Sequence, residues 1–496
     1  MISPSLFRQR AFLLFFLGLL VLGAATYLLT TVLTDYVTDT FTRDDFVSAE
    51  SASPRTVLLL AVLLLPAVLT LPVGVVVDRV RRGPLLVAVG LLSAVLLASI
   101  LGAAWLEMKT LVHFAAVSAV LMLLGVAGQL GGEAHLPAVA GRDRLVPANA
   151  VLFAVSAGLP LALDYLPVAR AGAAGRADGW IRQVGEDGAE GVPALVVLAV
   201  VAVLFMVAAL LFRGVGVAEE PPVLKASPSS GTDVPGESAG LWTSLWRELA
   251  EGVRFTLTHP VVKAIVLYLV LSALAEAVAE EVGEELSVPD GLGWEWMLFQ
   301  GSPFVGALLA VLLHRRFGAL RLAWLAVLVT QPFTLLVALG GTAWGAFWNL
   351  VGTSVPYVGS TITLVALLSH RQAITPDRLL GRTGATLLLI TGLVMVPAAF
   401  LASLVAPEGP LRFGGSIVAG EEVGMAEALP GLALATVLAL AAAVPLMRLR
   451  AGDGEERRAV MAGGGAGHDG AGGAVREQGG PEDAGRGDRE EGDRDE

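Results

Sequence analysis

Apolar runs of about twenty residues, separated by polar turns, recur twelve times along the chain: roughly 11–33, 56–77, 84–106, 110–131, 148–168, 193–212, 260–280, 294–313, 320–341, 343–369, 383–406 and 428–449. A helix rising ~1.5 Å per residue needs about 20 apolar residues to cross the ~30 Å hydrocarbon layer of a bilayer. The pattern predicts an all-α integral membrane protein with twelve transmembrane helices. The first run follows Arg8 and Arg10 as a signal sequence would, but it stays apolar for over twenty residues without a convincing cleavage site, so a retained first span is expected.

The polar turns alternate in charge. One set holds Arg8 and Arg10, Arg79, Arg81 and Arg82, Arg142 and Arg144, Arg315, Arg316 and Arg321, Arg371, Arg378 and Arg382, and Arg448 and Arg450. The turns between them are acidic, with Asp35, Asp39, Asp44, Asp45 and Glu50 after the first span and Glu284, Glu285 and Asp290 after the seventh. Basic loops stay on the cytoplasmic side. Both termini are therefore expected there. The loop at 169–192 is the exception, carrying arginines and acids together.

Residues 213–259 form the longest internal connection: a Pro/Ser/Gly-rich piece, then Leu241-Trp242-Thr243-Ser244-Leu245-Trp246-Arg247-Glu248-Leu249, which reads as an amphipathic surface helix. The chain divides there into a first six-helix bundle at 1–212 and a second at 260–449. Beyond, 450–496 is Gly/Ala with mixed charge, a composition expected to stay disordered. A repeat supports the division, because Arg81-Arg82 and Arg315-Arg316, Asp143-Arg144-Leu145 and Asp377-Arg378-Leu379, and Gly125 and Gly359 all lie 234 residues apart.

Composition narrows the class. At 55% hydrophobic and a mean hydropathy of +0.72, the chain has more apolar surface than a soluble domain buries. Of the net charge of −12, −7 comes from 13 acids and 6 arginines in residues 451–496, leaving the spanning core near balance. The absence of cysteine excludes disulfides, thiolate metal sites and a cysteine nucleophile. Three lysines against thirty arginines suggest a high-GC bacterial genome, hence a bacterial cell membrane. There is no Gly-x4-Gly-Lys-Ser/Thr, no His-Glu-x-x-His and no Gly-x-Ser-x-Gly, so neither ATP-driven work nor common hydrolase chemistry is supported. The expectation is a non-enzyme without cofactor, metal or nucleic-acid partner.

Gly74-x3-Asp78-Arg79-x-x-Arg82 follows the second span. The spacing resembles the signature between helices 2 and 3 of the major facilitator superfamily, although Arg81 stands where that family has glycine and Gly83 where it has a base. Arg371-Gln372-Ala373-Ile374-Thr375-Pro376-Asp377-Arg378-Leu379-Leu380-Gly381-Arg382, and the matching stretch from Leu136 to Ala150, resemble the loops after helices 10 and 4 of its twelve-span drug:proton antiporters. The resemblance implies two pseudo-symmetric six-helix bundles, a gate built by Gly74, Asp78, Arg79, Arg82, Asp377, Arg378 and Arg382, and a central cavity lined by helices 1, 4, 7 and 10. Such antiporters carry Gly-Pro-x-x-Gly in helix 5. This chain has Gly158-Leu159-Pro160-Leu161-Ala162 instead.

Asp164 lies sixteen residues past Ala148, and Glu276 sixteen past Pro260, each about 24 Å along its crossing at the helical rise. A carboxylate at membrane depth is costly unless water, a partner or a proton compensates it, which makes both candidate proton or cation carriers, followed by Asp35 and Glu133. The alternative is an acidic face at the outer interface, continued by Glu280, Glu281, Glu284 and Glu285. The tenth span is too polar to face lipid, and by the resemblance Asn349, Thr353 and Tyr357, with Gln129 of the fourth span, are substrate-cavity candidates. Packing of small residues between helices is the competing account of its glycines and serines. The expected function is proton-coupled efflux of a small amphipathic compound by a monomer in the bilayer; the alternatives are a nutrient importer or facilitator, or a non-transporting receptor or scaffold.

Overall fold

The computed structural model describes residues 8–37, 54–106, 110–171, 194–217, 241–285, 293–342, 344–405 and 425–464. Helices α1 (Arg10–Val37), α2 (Pro54–Arg79), α3 (Arg82–Trp105), α4 (Leu111–Ala140), α5 (Leu145–Ala171) and α6 (Ala194–Arg213) make the first half. Helix α7 (Leu241–Thr258) follows, and then α8 (Pro260–Glu285), α9 (Gly293–Phe317), α10 (Ala319–Thr330), α11 (Gly345–Ile374), α12 (Leu380–Val405) and α13 (Met425–Gly464). Among the described residues ten helical stretches are long and apolar enough to cross a membrane. With α2 and α5, whose side chains are described only in part, they complete twelve in the order of the apolar runs. The chain is a multi-pass membrane protein.

The 234-residue repeat reappears as geometry. Helices α4 and α11 are each 30 residues long and begin at Leu111 and Gly345, and each is followed by a single 3-10 turn, Arg142–Arg144 and Asp377–Leu379. One half departs from regularity. Helix α10 passes at Gln331 into a 3-10 stretch to Leu339, where Pro332 has no N–H to continue the α-helical ladder. Against it runs a stripe of glycines at seven-residue spacing on α11. A Cβ on Gly352 would sit 2.7 Å from Val337 Cγ2, and one on Gly359 would overlap Thr330 Oγ1. These glycines let two helices touch, which is the packing account of them.

Each half has its own core, centred on Phe12, Phe15, Leu86, Leu97 and Leu198 in the first and on Tyr268, Leu367 and Leu446 in the second. The halves meet along two seams, α2 against α12 and α5 against α9. At one seam Val77, Ala134 and Ala385 pack with Leu130 and Leu380; at the other Ala150, Ala307 and Ala310 pack with Val311, and the Phe304 ring lies where a Cβ on Gly158 would be. Residues up to Leu449 form one compact unit, and Arg450–Glu496 form a second. Of the second, helix α13 continues to Gly464, so a tail without structure from 450 does not describe its first residues. Residues 465–496, the loops at 38–53, 107–109, 172–193, 286–292 and 406–424, the Pro-rich linker piece at 218–240 and the side chains of Asp35 and Asp164 lie outside the described residues.

Candidate functional site

At the end of the bundle carrying the arginine-rich turns, Gly74 of α2 faces Gly381 of α12. A Cβ on Gly74 would lie 2.8 Å from the Gly381 carbonyl oxygen and 2.5 Å from Ala385 Cβ. This approach delivers Asp78 to the first turn of α12. Its Oδ1 accepts from the Gly381 N–H at 2.7 Å and its Oδ2 from the Arg382 N–H at 3.0 Å. The opening amides of a helix have no partner within it and carry its positive dipole end. A carboxylate from the other half satisfies both needs, and none of the Asp78 side chain is exposed.

Helix α7 closes over this junction from outside. Arg79 holds Glu248 with two hydrogen bonds, Nη2 at 2.6 Å and Nε at 3.1 Å. Arg382 donates to Glu248 at 2.6 Å and to Glu251 at 3.0 Å, and Arg378 to Glu251 at 2.6 Å. The hydrogen bond from Arg79 holds the Glu248 carboxyl below its ordinary range, helped by the Arg382 charge. Two acids of the linker thus tie α2 of one half to α12 of the other. Gly252 makes room, since a Cβ there would lie 2.6 Å from Arg382 Cβ.

A second tier lies beside the first. Arg82 donates to the carbonyls of Ala134, at 2.9 Å, and Asp377. Arg142 reaches across to the Ala373 carbonyl at 2.6 Å and to Asp377 Oδ1 at 3.0 Å. Further in, Arg371 of α11 pairs with Glu133 of α4 at 2.5 Å, with 8% and 28% of the side chains exposed. Asn149 of α5 donates to Ser369 at 2.9 Å and to Gln372 at 2.8 Å, and Gln372 donates to the Glu133 carbonyl at 3.2 Å. Every one of these bonds runs between the halves except the one from Arg82 to Ala134. This end of the protein is shut.

Beyond the Glu133–Arg371 pair lie further polar side chains of the spans. Gln129, one helical turn along α4, is exposed and donates to Glu133 at 3.4 Å. Glu276 of α8 is likewise exposed, yet it sits mid-helix and hydrogen-bonds Ser360 of α11. Ser360 also accepts from Gln331 Nε2 at 3.3 Å, so an amide, a hydroxyl and a carboxylate form a chain across α10, α11 and α8. Tyr357 is 40% exposed with its ring 5.1 Å from that of Phe299. A carboxylate at membrane depth is costly on its own, and the hydroxyl of a neighbouring helix is the partner it has here.

The structure thus gathers Gly74, Asp78, Arg79, Arg82, Asp377, Arg378 and Arg382 in one cluster, and places Gln129 and Glu133 on α4, Glu276 on α8 and Tyr357 on α11 of the same unit. Thr353 is partly buried, and its hydroxyl donates to the Asn349 carbonyl of its own helix at 2.8 Å. His135, beside Glu133 in sequence, is buried edge-on to the Phe15 ring at 5.4 Å. Sequence reasoning passed over Glu248, Glu251, Gln331 and Asn149 and took Arg142 and Arg371 only as topology charges. Gln331-Pro332 inside an apolar run is the signal that could have marked a broken, polar stretch there.

No family model matches the chain, and no curated protein matches it. Solved structures do. A bacterial homologue of the iron transporter ferroportin, in an outward-facing state, superposes with a TM-score of 0.60 at 13% identity, covering 88% of this chain and 98% of that one. The Escherichia coli fucose:proton symporter gives 0.55 at 14% identity over 88% and 98%. A proton:xylose symporter of the major facilitator superfamily, bound to 6-bromo-6-deoxy-D-glucose, gives 0.58 at 12% over 90% and 96%. At such identities the likeness is one of fold. The protein has the twelve-helix major facilitator fold, two six-helix bundles of one design.

Proposed function

We propose that this protein is a secondary transporter of the bacterial cell membrane that couples proton entry to efflux of a small amphipathic compound. The basic end faces the cytoplasm, with both termini on that side. The closed cytoplasmic gate corresponds to the outward-facing half of an alternating cycle, in which the two bundles rock about a midplane site. Export as the direction rests on the similarity of the 136–150 and 371–382 loops to those of drug:proton antiporters.

The observation that carries the coupling is Glu276, an accessible carboxylate within the bundle whose hydrogen bond to Ser360 ties it to the polar helix α11. Protonation from the outer side removes its charge, and the gate can then reopen inward without dragging an ion through hydrocarbon. Gln129, Asn349 and Tyr357 line the space where substrate would sit, and Glu133 with Arg371 forms its floor.

The test is flux in inverted vesicles under an imposed proton gradient with a panel of amphipathic dyes. Gradient-driven dye accumulation, accompanied by proton release from the lumen, is the expected result. Dye movement only down its own gradient would replace the antiporter by a facilitator, and no movement of dyes or sugars would remove the transport reading.

A further inference from the structure

The two long faces of α7 carry opposite chemistry. The face against the bundle holds Glu248 and Glu251, both occupied by gate arginines, together with buried Gly252 and Thr256. The opposite stripe, at helical spacing, is Thr243, Trp246, Arg247, Ala250, Arg254 and Leu257, all exposed. Trp246 is 67% and Leu257 47% exposed. No acid interrupts the stripe, and neither Arg247 nor Arg254 makes an ion pair among the described residues. The helix packs on α2, α8 and α12, and the adjoining surfaces of α2 and α8 show exposed Val76, Val80 and Leu267, the composition of a lipid-facing wall. An apolar stripe with two free guanidinium groups, placed where that wall ends, matches one surface by both polarity and charge: a bilayer interface containing anionic headgroups.

We propose that anionic phospholipids of the cytoplasmic leaflet dock on the Arg247/Arg254 face of α7 and, by seating the helix, hold Glu248 and Glu251 on Arg79, Arg378 and Arg382 so that the gate stays shut. The phosphates bind the guanidinium pair while Trp246 and Leu257 enter the headgroup boundary. One helix then reads the membrane with one face and latches both bundles with the other. Loss of anionic lipid frees α7, and the inward-open state gains population. The effect on the gate rests on the alternating-access reading above, whereas the docking does not.

The chain has no cysteine, so an R81C/R315C pair provides two unique labelling sites at repeat-related positions of the two halves, just after α2 and in the last turn of α9, both exposed. Spin-label distances in the full-length protein, reconstituted without substrate, read the gate directly. In phosphatidylcholine vesicles with about 30% phosphatidylglycerol the short distance should gain roughly tenfold in population over pure phosphatidylcholine, a response expected of two arginines at an anionic surface. R247Q/R254Q should abolish that response, R247K/R254K should keep most of it, and E248Q/E251Q should give the long distance in both lipids. An unchanged lipid response in R247Q/R254Q, or none in the parent, overturns the proposal. So does an equal response to inorganic phosphate in pure phosphatidylcholine, which would make the face a soluble-anion site. Failure of dye flux with an intact lipid response would instead count against the transport reading alone.

Discussion

Asp78 and Gly381 lie 303 residues apart in the chain and are joined by a 2.7 Å hydrogen bond from the Gly381 amide to the Asp78 carboxylate. The bond joins the end of the second membrane helix to the start of the eleventh. Whatever separates the two halves at this end has to break it.

Asp78→Asn removes the charge and leaves one oxygen to accept where two accept now. Charge-assisted hydrogen bonds contribute about 1.5–3 kcal/mol each. Losing one should shift the gate roughly tenfold or more toward open and lower flux at unchanged membrane level, as measured by vesicle transport and by the R81C/R315C distance. Wild-type flux would reduce this turn to a topology signal.

Gly74→Ala tests shape rather than charge. The new Cβ would meet the Gly381 carbonyl oxygen and Ala385, both parts that cannot swing aside. The closed gate should be lost while each bundle folds normally. A short distance in that variant would show that the seam has slack.

Arg371 and Glu133 should be more tolerant of joint than of single replacement. R371Q leaves a half-buried carboxylate without its partner, at a cost of about 1–3 kcal/mol. E133Q/R371Q removes both charges and should recover part of the lost Tm. Additive losses would mean that the two side chains act independently.

Glu276→Gln should stop gradient-driven efflux and spare substrate exchange or ligand binding. The amide matches the protonated carboxyl in size and in lack of charge but binds and releases no proton, so the gate still reopens inward while the gradient has nothing to drive. Asp164→Asn is the paired test. Unchanged pH dependence in both variants would move the proton site elsewhere.

Glu248 should not titrate in the physiological range. Arg79 lowers the Glu248 pKa from the ordinary 4.5, and a group with a depressed folded pKa contributes stability above its unfolded value and loses it only as pH falls through the lower folded one. The E248Q effect on the gate distance should therefore be the same at pH 6 and pH 8. A latch that weakens between those values would contradict this assignment.

The spans and the halves were legible because apolar length and loop charge are local properties, and a 234-residue offset survives as a pattern even where the residues have changed. Asp78 was legible for a related reason, since topology alone does not require an acid among the arginines. Its partners were not. Backbone amides leave no trace in composition, and Glu248 looks like any acid of an amphipathic helix until folding places Arg79 and Arg382 beneath it. Arg371 counted as one more basic loop residue, although it is 6% exposed and faces Glu133 of the other half. Glu276 could be placed by depth but not by neighbour, because Gln331 reaches Ser360 only after Pro332 has unwound α10.

The duplicated design is unequal where the halves touch. The 234-residue offset that pairs Arg82 with Arg316 pairs Asp78 with Leu312, an aliphatic side chain 49% exposed on the outside of α9. The α2–α12 seam therefore has a bolt, and the α5–α9 seam has an apolar bearing of alanines with Phe304 set on Gly158. A door fitted in this way swings instead of sliding. Motion toward the inward-facing state should begin at the bolted side and pivot on the other, so labels across α2 and α12 should separate further than labels across α5 and α9. Equal separation at both seams would describe a symmetric rocker, in which the missing second aspartate has no mechanical consequence.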